Sequence, residues 1–149
     1  MTIDRACARV PEATDRRRVL VVDDQPDVVE IICVLFEQMG HECVSADTGQ
    51  GAIDAAIVHQ PDIVVLDIGL PDLSGYEVVR TLRAMPCGAD LYIAALTGWG
   101  AEADRQRALA SGFDQHLTKP ANQAMLAAMV AAAAQRRLPA AMLSVVAHR

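Results

Sequence analysis

Lysine is almost absent from this chain: of 13 cationic side chains, 12 are arginine, and the one lysine is Lys119. Aromatic residues are nearly as scarce, at 3% of the chain with Trp99 as the single tryptophan. Apolar residues still reach 52%, so a core built from this sequence must be aliphatic. No apolar run can span a bilayer; the longest, Met125 to Ala134, is mostly alanine and stops at Gln135, Arg136 and Arg137. The opening residues, MTIDRACARVPEATDRRR, lack the apolar centre of a secretory signal, and the expectation is a cytoplasmic protein. Positive charge is in deficit, and a net charge of −6 disfavours general nucleic-acid binding, which needs a basic face to displace counterions. The cysteines (Cys7, Cys33, Cys43 and Cys87) show neither CxxC pairing nor metal-ligand spacing and read as reduced thiols, some of them buried. His41, His59 and His148 are scattered and suggest no metal site.

What the chain does have is alternation. Short β-branched or aliphatic runs read as buried strands at Val19–Val22, Ile63–Leu66 and Leu91–Leu96, with weaker ones at His41–Ala46 and Phe113–Leu117. Between them lie helical patterns. The clearest follows Pro26, where Val28, Ile31, Ile32, Leu35, Phe36 and Met39 recur at helical spacing before Gly40. Further helices are predicted at Thr48–His59, around Val78, Val79 and Leu82, at Ala101–Ala110 and at Asn122–Arg136. Five strands alternating with five helices through short links imply an α/β fold with one parallel sheet and helices on both faces. Strand order is not readable from the pattern; 2-1-3-4-5, the flavodoxin-like order, is the common one for five strands. Residues 1–17 are polar and aperiodic and are expected to form a flexible arm, 18–136 the domain, and 137–149 a tail. Helix 5 carries Met125, Leu126, Met129 and Val130 among alanines, more apolar surface than one face needs; sheet packing is the first explanation and partner docking or dimerisation a second.

In an open parallel sheet, ligands bind at the carboxyl ends of the strands. The polar residues there are Asp23 and Asp24 after strand 1, Asp67 after strand 3, Thr97 after strand 4 and Lys119 after strand 5. Three carboxylates at one edge repel one another unless a counter-charge is present. A hard divalent cation such as Mg²⁺ supplies it, since that ion takes one or two carboxylates, keeps waters and leaves room for a phosphoryl oxygen. Nucleophile, metal, ammonium and hydroxyl are the set needed for phosphoryl transfer to a carboxylate. Taken singly, each residue has a plainer reading: Asp23 or Asp24 as a helix cap, Thr97 as a turn residue and Lys119 as a solvated charge.

The segments VLVVDDQPD, IVVLDIGLPDLSGYE, the Thr-Gly of ALTGWG and GFDQHLTKP, in that order, resemble the response-regulator receiver family (CheY-like) of two-component phosphorelay signalling over about residues 18–136. The resemblance implies Asp67 as the phosphorylated residue, Asp24 and the Gly69 carbonyl as direct Mg²⁺ ligands, and Asp23 acting through a metal-bound water. It implies Thr97 and Lys119 as partners of the phosphoryl group, a cis Lys119–Pro120 bond, and output through the face of helix 4, strand 5 and helix 5. It also implies a phosphoryl donor, either a sensor histidine kinase or a histidine phosphotransfer protein, and a downstream protein partner. Gly69 and Trp99 stand where such domains tune the lifetime of the phosphoryl group, and Trp99 reads equally as a shield against water or as a packed ring.

One departure concerns the strand-5 switch position, three before Lys119. It is usually Tyr or Phe and here is His116, open between an ordinary histidine and a polar, pH-sensitive partner of Thr97. The leading expectation is a binding module without enzymatic or DNA-binding activity, either a stand-alone regulator or the receiver segment of a hybrid sensor kinase. Its oligomeric state is not readable, with a dimer through helices 4 and 5 left open. The alternative is an Mg²⁺-dependent phosphohydrolase working through an aspartyl phosphate, but such enzymes need DxDx[TV] where this chain has DDQPD.

Overall fold

The computed structural model of the chain describes residues 16–86, 88–98 and 102–136. The expectations for residues 1–15 and 137–149, and for Cys7, Cys87, Trp99 and His148, therefore fall outside the described residues.

The apolar runs become five strands: β1 (Arg18–Val22), β2 (Glu42–Ala46), β3 (Ile63–Asp67), β4 (Tyr92–Thr97) and β5 (Gln115–Thr118). All neighbours pair in parallel, and the order is β2-β1-β3-β4-β5, the common order for five strands. Five helices connect or follow them: α1 (Pro26–Gln38), α2 (Gly49–His59), α3 (Gly75–Ala84), α4 (Glu102–Ser111) and α5 (Gln123–Arg136). A short 3₁₀ turn at Gly88–Asp90 precedes β4, which the periodicity did not foretell.

Helix starts follow from local chemistry. Pro26 opens α1, where its missing N–H costs nothing. Thr48 caps α2 by accepting from the Gly51 amide at 2.9 Å, and Ser74 caps α3 by accepting from the Glu77 amide at 3.2 Å. Asn122, expected as the first helical residue of α5, is instead its cap, accepting from the Met125 amide at 2.9 Å. Strand β5 likewise starts two residues later than the apolar pattern suggests. Phe113 donates its amide to the Ala108 carbonyl as the chain leaves α4, and its ring packs edge-on against Tyr76.

Two cores flank the sheet because side chains alternate along each strand. On one face Leu20, Val22, Val64, Leu66, Ile93 and Ala95 meet α2, α3 and α4. On the other Val19, Val21, Ile63, Val65, Ala94 and Leu96 meet α1 and α5. Phe36, Leu126 and Met129 are fully buried there, each contributing about 1.5–3 kcal/mol of transfer free energy. Leu126, Met129 and Ala133 of α5, with Met125 and Val130 beside them, serve this packing, so the apolar side of α5 is largely used by the sheet. Among the described residues no helix is long and apolar enough to cross a membrane.

Candidate phospho-acceptor site

The sheet delivers the polar residues to one edge. β1 ends at Val22 and releases Asp23 and Asp24; β3 ends at Asp67, beside Leu96 of β4. The end of β5 is tied to β4 by the Lys119 amide, which donates to the Thr97 carbonyl at 2.7 Å. The Lys119–Pro120 bond is cis. Carboxylate oxygens of Asp23, Asp24 and Asp67 all lie within 4.8 Å of one another. Asp23 is fully buried, Asp67 nearly so, and Asp24 is exposed.

Each oxygen has a distinct setting. Asp23 Oδ1 accepts the Gln25 amide at 2.9 Å, so this residue does cap the entry to α1. Its buried Oδ2 pairs with the ammonium of Lys119 at 2.8 Å. Asp67 Oδ1 accepts the Gly69 amide at 3.1 Å, and Oδ2 lies 3.7 Å from Lys119 Nζ. Burial pushes the Asp67 carboxyl above its ordinary range; the Gly69 amide opposes this, Asp23 and Asp24 add to it, and Lys119 pulls back. Burial alone would lower the Lys119 ammonium, but the contact with Asp23 and the charges of Asp67 and Asp24 outweigh it and leave it raised.

Thus Asp23, Asp24, Asp67 and Lys119 come together as expected. Thr97 sits at the same edge, with its Oγ1 sharing a 2.7 Å hydrogen bond with His116 Nε2. His116 is therefore coupled to Thr97 in this structure. The Gly69 contact recorded at the site is its amide on Asp67.

One supporting residue was not singled out from the chain: Gly75, at the start of α3. Its amide donates to the Ile68 carbonyl at 2.8 Å, and a Cβ there would lie 2.6 Å from Ile68 Cα and 2.9 Å from the Asp67 carbonyl oxygen. The helix can approach the acceptor loop this closely only with glycine. The Ser-Gly pair at a helix entry was the available signal.

Three carboxylates facing one ammonium leave a surplus of negative charge on oxygen ligands, which fits a hard divalent cation. The fold and this edge are of the kind that a phospho-acceptor signalling module uses. The family model for the response regulator receiver domain matches residues 19–131, and the chain belongs to that family. It is 37% identical over 123 residues to the transcriptional regulatory protein KdpE of Mycobacterium tuberculosis, covering 83% of this chain and 53% of that protein. The chain thus spans about half the length of the KdpE it matches. A 14.6 kDa protein of Leptolyngbya boryana is 35% identical across 75% of this chain and 86% of its own length. Among solved structures, a Francisella response regulator receiver domain superposes with a TM-score of 0.75 at 26% identity, covering 83% of this chain and all of that one (100%). Family membership sets aside the phosphohydrolase alternative.

Proposed function

We propose that Asp67 is an Mg²⁺-dependent phospho-acceptor, charged by a histidine kinase or a histidine phosphotransfer protein, and that the modification alters the surface of α4, β5 and α5 for a downstream partner or further relay. The observation that carries this reading is the setting of Asp67: a buried carboxylate held by one backbone amide, with two more carboxylates and the chain's only lysine around it.

The Gly69 amide fixes Oδ1 of Asp67 and orients the carboxylate for attack. A carboxylate oxygen bonds to phosphorus as the bond from phosphorus to the donor's imidazole nitrogen breaks and the imidazole departs. Asp24, Asp67 and the Gly69 carbonyl would hold Mg²⁺, with Asp23 acting through a coordinated water. When bound, the ion neutralises charge on the transferring group. Lys119, already drawn toward Asp23 and Asp67, pairs with one phosphoryl oxygen. The Thr97 hydroxyl donates to another and in doing so gives up His116. That exchange carries the signal to β5, where His116 sits opposite Ala95. Residues 18–136 are the receiver unit in this reading, and 1–17 and 137–149 its arm and tail.

The test is phosphoryl uptake. The full chain incubated with Mg²⁺ and acetyl phosphate should gain one phosphoryl group, which peptide mass mapping should locate at Asp67. The Asp67→Asn chain should gain none; equal uptake by that variant would refute the assignment.

A further inference from the structure

Away from the acidic edge, two sulfurs meet. Cys43 Sγ lies 2.6 Å from Cys33 Sγ, with the Cys43 thiol donating to the Cys33 sulfur. Cys33 projects from the middle of α1, and Cys43 from β2, the outer strand of the sheet. Both are partly buried at the rim of the core formed by α1 and α5, so neither is sealed from small solutes. Ordinary packing of apolar side chains leaves heavy atoms about 3.5–4.0 Å apart, and a disulfide brings its sulfurs to about 2.05 Å. The side chains already point at each other from two elements that the core holds in place.

We propose that Cys33 and Cys43 form a reversible dithiol–disulfide site, oxidised by hydroperoxides, that staples α1 to the edge strand β2. The hydrogen bond from Cys43 lowers the Cys33 thiol and raises Cys43, whereas burial and Glu37 oppose the lowering at Cys33. Cys33, the sulfur that accepts this hydrogen bond, is placed to react first. Its thiolate attacks a peroxide oxygen: an S–O bond forms, the O–O bond breaks, and the departing alkoxide or hydroxide takes a proton. Cys43 sulfur then attacks Cys33 sulfur: the S–S bond forms, the S–O bond breaks, and hydroxide leaves with the Cys43 proton as water. Two electrons pass from the thiols to the peroxide, and a small dithiol reverses the change. The site is independent of Asp67 and stands whether or not that residue accepts phosphate.

The test uses the full chain and hydrogen peroxide. After brief stoichiometric treatment and alkylation of the remaining thiols, peptide mapping should find Cys33 linked to Cys43, and dithiothreitol should restore both. A chain carrying Cys7→Ser and Cys87→Ser together should form the same link. In the Cys43→Ser chain a sulfenic-acid probe should label Cys33. The proposal fails if Cys33 and Cys43 stay alkylatable in the wild type. It fails equally if either is linked to Cys7, Cys87 or another chain instead of to its neighbour.

Discussion

The two ends of the sheet handle charge in opposite ways. At the amino end, Arg83 reaches from α3 and donates to the carbonyls of Gly112 at 2.9 Å, Gly88 at 2.8 Å and Leu91 at 2.6 Å. It also pairs with Asp114 at 2.7 Å, and the same Asp114 oxygen accepts the Ile93 amide at 2.9 Å. One cation meets one anion, and the guanidinium fork closes the loops entering β4 and β5. At the carboxyl end, three carboxylates meet a single ammonium, 2.8 Å from Asp23 and 3.7 Å from Asp67, and negative charge is left over. At Arg83 and Asp114, where charge serves the fold, it is matched and satisfied. Where it is left in surplus, the edge is built to receive something.

If that contrast is correct, the two ends should respond differently to substitution. Arg83→Ala should destabilise the protein most, by about 3 kcal/mol, since it removes the counter-charge of Asp114 and a donor to three carbonyls. Urea unfolding measures this, and the variant should still take up phosphate at Asp67 while folded. Lys119→Gln should cost about 2 kcal/mol at neutral pH, because two carboxylates lose their counter-charge. The Lys119 ammonium is raised in the folded state above its ordinary 10.5. Its stabilisation is therefore fully present below that pH and is lost as pH rises through the raised value, so the gap between variant and wild type should close in strong alkali.

Asp67→Asn should act in the opposite sense and raise the melting temperature by a few degrees. Its carboxamide oxygen still accepts the Gly69 amide but carries no charge among Asp23 and Asp24. Because the Asp67 carboxyl is raised in the folded state, its ionisation penalises folding above its ordinary 3.8. The advantage of the variant should be absent below 3.8, build as pH rises from 3.8 to the raised value, and stay constant above it. The smallest effect belongs to His116→Phe. It removes the hydrogen bond holding the Thr97 hydroxyl, for about 1 kcal/mol of stability. The same release should tighten beryllofluoride binding in the presence of Mg²⁺ by about fivefold, measured by calorimetry. Unchanged affinity would mean that the His116 contact does not restrain Thr97.

The two ends were also unequally legible from the sequence. Parallel strands covered on both faces read as continuous apolar runs, so VLVV and IVVL were clear, and the polar residues just beyond them fell into place as one edge. The Arg83 network left no such trace. An arginine in the last turn of a helix looks like an ordinary partner of the helix dipole, and its targets are backbone carbonyls that any residue could supply. Gln60 ends α2 with φ +48°, a left-handed cap that no glycine announced. The contact between Cys33 and Cys43 depends on how α1 lies against β2, and ten residues of separation carry no periodic signal. His116 was recognisable as a departure, but only the geometry showed that its ring nitrogen meets Thr97.

The surplus of carboxylates can be tested directly by titrating Mg²⁺ into the full chain and following thermal unfolding. Saturation at about 100 times the dissociation constant should add about 2.7 kcal/mol to the wild type. Asp24→Asn and Asp67→Asn should lose most of that gain, while Arg83→Ala should keep it on a less stable background. No Mg²⁺-dependent gain in the wild type, or an equal gain in the Asp67→Asn chain, would contradict a carboxyl edge organised around a divalent ion.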